Sequence, residues 1–110
     1  MDDGTAREGG HFEAIDSNLT VFALANGLDL AKADGHRRLE WFSEGLERGI
    51  VIEPTDGGGY DVRVLTWRSG RPESQNERVV SEGLSVQDLR SSLSDAIETA
   101  NGLEAPPKAE

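Results

Sequence analysis

Residues 34–53, DGHRRLEWFSEGLERGIVIE, decide the fold, because the apolar spacing changes here from helical to extended. Behind Asp34 as an N-cap, Leu39, Phe42 and Leu46 fall at i, i+3 and i+7 and share one helical face. This spacing predicts a helix from residue 34 to about residue 48, closed by Gly49. Arg37, Arg38, Glu40, Glu44 and Glu47 fill the solvent side, where a pair such as Glu44 and Arg48 contributes a few tenths of a kcal/mol. Ile50–Glu53 is β-branched and stops at Pro54, which cannot donate to a ladder, so it reads as a short strand.

Downstream the pattern stays extended. The loop TDGGG at 55–59 leads into YDVRVLTWR at 60–68, which alternates at the period of a strand and pairs back on 50–53 as a hairpin. A polar connection, SGRPESQN, precedes a third strand, ERVVSE, at 77–82. The last helix is the best marked. Ser85 is its N-cap, Asp88 stands where a capping box places an acid, and Leu84 can staple to Leu89. Val86, Leu89, Leu93, Ala96, Ile97 and Ala100 then recur with helical period. Asn101-Gly102 supplies a left-handed stop, with Leu103 packing back on the last turn.

Upstream, DSNLTVFALANGLDLAK at 16–32 places Leu19, Phe22, Ala23, Leu24, Leu28 and Ala31 near helical spacing behind Asp16 or Ser17. Asn26-Gly27 offers the alternative of a type I′ hairpin turn. The Ala and Leu content favours a helix with Gly27 as a weak point or break. Residues 1–10 and 104–110 lack periodicity and read as disordered tails around a single domain, 11–103. The expected fold is α+β: a three-stranded antiparallel sheet packed on one face by helices, in the order α-α-β-β-β-α.

The helix, three strands and helix expected over 35–101 resemble the double-stranded RNA-binding domain in topology. Such domains contact phosphates through a lysine-rich start of the last helix, where this chain has LSVQDLR. The charge balance opposes that function as well. Twenty-one acidic against 11 basic side chains leave a net charge of -10, a field that repels nucleic acid and anionic lipid. No apolar run approaches the roughly 20 residues of a membrane span. The chain has no cysteine, which removes disulfides, thiolate metal sites and thiol nucleophiles together. A soluble, cytoplasmic protein is the expectation, with no membrane and no nucleic acid among its partners.

No residue pattern announces catalysis. The glycine loop at 55–59 leads into a strand instead of a helix N-terminus, so it does not form a phosphate cradle. The two histidines, His11 and His36, show no metal-ligand spacing, and no serine or threonine stands in a nucleophile motif. Catalytic residues, metal ligands and cofactors are therefore not expected.

The second strand is unusual in carrying large apolar groups on both faces: Tyr60, Val62 and Val64 on one, Leu65 and Trp67 on the other with Asp61 and Arg63. Either a helix or a tail covers Leu65 and Trp67, or they form a partner-binding patch with Arg63, Arg68 and Arg71. Trp41, off the expected helix stripe, is a further candidate. The expected function is a small acidic protein-interaction module, an adaptor, inhibitor or regulator, able to form a homodimer through a free sheet edge. The alternatives are an acidic nucleic-acid-mimicking inhibitor or antitoxin, and a small ligand-binding protein or enzyme.

Overall fold

Glu44 and Gly45 settle what residues 34–53 become. Both have positive φ, 54° and 82°, and Ser43 pairs with Leu46 across them. Two consecutive positive φ values in a two-residue connection are the signature of a type I′ hairpin turn. The expected second helix is therefore two strands. Its apolar triplet separates accordingly, with Leu39 fully buried and Phe42 61% exposed on opposite faces of one strand.

The computed structural model describes residues 3–106, with side chains from residue 12 onward. Helix α1 (Asp3–Asn26) is followed by strands β1 (Asp29–Lys32), β2 (Arg37–Ser43), β3 (Leu46–Pro54), β4 (Tyr60–Trp67) and β5 (Gln75–Leu84), and then by helix α2 (Val86–Gly102). The five strands form one antiparallel meander in sequence order, each joined to the next. The three-stranded, α-α-β-β-β-α expectation is thus corrected to α-β-β-β-β-β-α, and the resemblance to the RNA-binding domain, which required a helix before three strands, goes with it. Of the expected tails, residues 1, 2 and 107–110 lie outside the described residues.

Gly27 is a break in the expected helix rather than a weak point within it. With φ of 70° it ends α1, and Leu28 N donates to Ala23 O at 2.8 Å in the bonding pattern of a glycine-closed helix end. The residues beyond it, expected to continue the helix, form β1 against β2 instead. At the other terminus Ser85 caps α2 as its sequence indicates, its hydroxyl accepting from Asp88 N. The α2 stop has no left-handed glycine. Leu103, with φ of -70°, is the C-cap; its amide donates to Ala100 O, and its side chain is buried.

Both helices pack on one face of the sheet. Ile15 and Leu19 of α1, and Leu89, Leu93, Ala96 and Ala100 of α2, meet Leu39, Ile50, Ile52, Val62 and Val64 from the central strands. Each Leu, Ile or Val buried there contributes roughly 1.5–3 kcal/mol, far more than helix propensity supplies. Two polar clamps fix the helices on this core. Arg37 binds the Asp16 carboxylate with Nε and Nη2 at 2.8 and 3.2 Å, donates Nη1 to Ala33 O and stacks 3.8 Å from the Phe12 ring centre. Trp41 Nε1 donates to Asn101 Oδ1 at 3.0 Å, joining β2 to the end of α2.

Tyr60 is the only tyrosine of the chain and is buried on this inner face. Burial, and secondarily the Asp16 carboxylate, push its phenol above the ordinary value of 10.0. A folded-state value above the unfolded one means that the folded protein holds the proton more tightly. The associated stability is present below about pH 10 and is lost as pH rises through the folded value. Tyrosinate absorbance near 295 nm should therefore titrate later in the folded protein than in urea, and Tyr60→Phe should shrink the alkaline loss of stability. Coincident titrations in the two states would contradict this.

The β3–β4 connection makes a close approach to the end of β5. A Cβ at Gly59 would lie 2.8 Å from the Gly83 carbonyl carbon and 2.9 Å from its oxygen, and backbone cannot swing aside as a side chain does. Gly59→Ala is expected to cost about 1–3 kcal/mol by overpacking, read from chemical denaturation. Gly57→Ala, with open space around its Cβ, should change little.

Candidate functional site: the outer face of the sheet

Strand alternation and register determine what the sheet presents away from the helices. Phe42, Glu47, Trp67 and Gln75 stand in one row across β2 to β5; Glu40, Gly49, Leu65 and Glu77 form the next; Arg38, Val51, Arg63 and Val79 form the third. Near the middle, Val51, Leu65 and Trp67 make an apolar cluster separate from the helix-side core. Among the described residues the cluster contains none from a helix, yet Val51 and Leu65 are 1% exposed and Trp67 is 8% exposed.

Glycine and arginine close this cluster. A Cβ at Gly49 would sit 3.4 Å from Trp67 Cζ3, so the indole of β4 lies directly on the β3 backbone where Gly49 leaves space. Gly49, expected to end a helix, is instead the floor under the indole. Arg38 lies over the ring, 5.5 Å from its centre, and is held by Glu40 through Nε at 2.6 Å. Such an arginine covers apolar surface while its charge stays wet. Arg63 is shared between Glu53 and Glu77 at 3.4 and 3.5 Å. Beside the closed cluster two apolar side chains remain open: Phe42 at 61% and Val79 at 53% exposure.

The structure brings together three of the six expected site residues, Arg63, Leu65 and Trp67, on this face. The other three lie elsewhere. Trp41 faces the helices and binds Asn101. Arg68 donates Nη2 to Pro106 O at 3.0 Å, while Asn76 binds Glu104 O at 2.7 Å, so the segment after α2 is pinned beside β4 and β5. Arg71 is exposed, in the turn after β4. Phe42, Val79, Arg38 and Gly49 escaped sequence reading because their common face exists only once β2 and β3 are paired. The available signal was the strict two-residue alternation of Leu39 and Trp41 against Arg38, Glu40 and Phe42.

Carboxylates dominate the charge of the face. Among the described residues, Glu40, Glu47, Glu53, Asp61, Glu77 and Asp29 share it with Arg38 and Arg63. Both arginines are already engaged by carboxylates of the same face, while Glu47 accepts from the Ser69 hydroxyl. Among the described residues no group of three or more His, Asp or Glu side chains is placed to hold a metal ion. A depression on α2 lined by Gln87, Arg90 and Ser91 is open and polar, a poor match for the enclosed, mostly apolar pockets that hold small ligands. No helix among the described residues is long and apolar enough to cross a membrane. Comparison with known proteins yields no match of this chain to a family model, a curated protein or a solved structure.

Proposed function

We propose that this chain is a cytoplasmic, non-enzymatic protein-interaction module that recognises another protein through the outer face of its sheet and the adjoining β5 edge. The observation that carries the reading is a sheet face left uncovered by both helices, with Phe42 and Val79 exposed beside a preformed Val51–Leu65–Trp67 cluster. An exposed aromatic beside a rigid apolar floor, rimmed by charge, has the composition of an interface centre. The edge adds to it: β5 is ten residues long, has a partner strand on one side only among the described residues and is largely exposed. Such an edge accepts a further strand, from a partner or from a second copy in a homodimer.

The test is affinity capture from the native host by wild type and by two double variants. Phe42→Asp with Val79→Asp should lose the specific partner. Val21→Asp with Leu24→Asp, at the exposed apolar positions of α1, should retain it. The reverse pattern would move the interface to α1 and sink the assignment. Light scattering of the same three proteins reports whether a second copy occupies the edge.

A further inference from the structure

The outer face is apolar at its centre and acidic around it, and this combination specifies the chemistry of what binds. Phosphate-bearing ligands and anionic lipid surfaces are repelled by a face with this carboxylate excess. A neutral apolar partner would leave Glu47, which accepts from the Ser69 hydroxyl, beside a dehydrated contact without a cation. A partner with an apolar stripe flanked by lysine or arginine satisfies both parts, since the stripe covers the exposed Phe42 and Val79 while its cations meet Glu47 and the carboxylate excess around it.

The dimensions favour a helix. From β2 to β5 the face spans three strand spacings, about 14 Å, close to the roughly 10–12 Å diameter of an α-helix with side chains. The opposite face of the same sheet already seats helices of this kind, α2 docking there through Leu89, Leu93, Ala96 and Ala100. We infer that the outer face of the sheet is a docking surface for a basic amphipathic helix of a partner protein, turning two layers into three. This assignment rests on the interaction reading above and names the partner's chemistry.

A synthetic helical peptide of leucine and lysine with amphipathic spacing is the probe. Its leucine–glutamate counterpart and a leucine–lysine peptide of scrambled order are the controls. The amphipathic basic peptide should bind saturably in calorimetry and shift amide resonances of β2 to β5 around Phe42, Leu65, Trp67 and Val79. Phe42→Ala with Val79→Ala, both at exposed positions and therefore compatible with the fold, should weaken it by about tenfold or more. Glu47→Lys should weaken it severalfold, and so should salt near 1 M, where the screening length falls to about 3 Å.

The inference is overturned by absence of saturable binding, by equal binding of the glutamate or scrambled peptide, or by resonance shifts confined to α1 or α2. A dimer in light scattering that Phe42→Asp dissociates also overturns it, by making a second copy the occupant. If peptide binding fails while the host partner is still lost in the Phe42→Asp, Val79→Asp protein, the basic-helix assignment falls and the interaction reading stands. If capture is unaffected as well, both fall.

Discussion

Trp67→Ala is expected to lower the unfolding free energy by about 3–5 kcal/mol, the usual cost of truncating a buried tryptophan. Trp67 lies on a sheet face that no helix covers, where a side chain would ordinarily be wet and its loss nearly neutral. It is only 8% exposed, however, because Gly49 lets the indole lie on the β3 backbone and Arg38 covers the ring. Removing the indole leaves a void beside Leu65 and Val51, which the sheet backbone cannot close without bending. For a domain of this size, stable by about 5–15 kcal/mol, the loss corresponds to a fall in Tm of roughly 15 °C or more. Phe42→Ala, one row-mate away but 61% exposed, should stay within about 1 kcal/mol of wild type. Urea denaturation followed by far-UV circular dichroism measures both. Equal, small effects would show that the cluster is open and that Trp67 is a contact residue instead of a support. The contrast also guides binding experiments, since loss of a partner in Trp67→Ala could come from unfolding, whereas its loss in Phe42→Ala could not.

Arg48→Met should cost a comparable amount, about 3 kcal/mol. Arg48 is 2% exposed and reaches from β3 to the end of α2, donating Nη1 to Ala100 O at 2.6 Å and to Leu103 O at 3.2 Å, and Nε to Ser43 O at 3.2 Å. The last carbonyls of a helix have no partner within it and carry its negative dipole end, so a buried guanidinium there is favoured twice. Its nearest carboxylate, Glu44 at 3.9 Å, is exposed and adds little. Methionine keeps the apolar stem and removes every donor. Replacing both partners of a buried ion pair with apolar groups can be neutral. Here the carbonyls remain, and stranding buried acceptors of a charged donor costs about 1.5–3 kcal/mol each. Ala100 O also accepts from Leu103 N, so its loss adds little and the total stays near the upper end of the cost of one stranded acceptor. Amide exchange should accelerate in the last turn of α2 ahead of the sheet. Arg48→Lys, which keeps the charge and loses the fork, should recover part of the stability. A fully stable Arg48→Met would mean that the last turn is held by the Leu103 side chain alone.

The elements read correctly from sequence share one property, that their signals are local. Ser85 beside Asp88, with apolar positions at 89, 93, 96 and 100, specifies a helix whatever it packs on. The alternation from Tyr60 to Trp67, after Pro54 and three glycines, specifies a hairpin back onto Ile50–Glu53 and separates Val62 and Val64 from Leu65 and Trp67. Residues 34–48 carry no such decisive local signal. Leu39, Phe42 and Leu46 suit one helical face, while Leu39 and Trp41 suit one face of a strand, and Glu44-Gly45 lacks the asparagine or aspartate that usually marks a type I′ turn. The long α1, which runs through Gly9 and Gly10, is likewise unannounced by propensity, since two adjacent glycines cost about 2 kcal/mol against alanine in a helix.

The sequence by itself determined the α+β class, the terminal helix with its cap, the central hairpin and the two-faced character of β4, because neighbours within a few residues of one another specify each of these. The tertiary structure alone decided that residues 37–54 pair as two strands, and so that Phe42 faces water while Leu39 is buried. It also decided that Trp67 is closed by Gly49 and Arg38. These outcomes depend on the burial that β2 and β3 gain against β4 and both helices, a contribution many residues distant along the chain that no local pattern records.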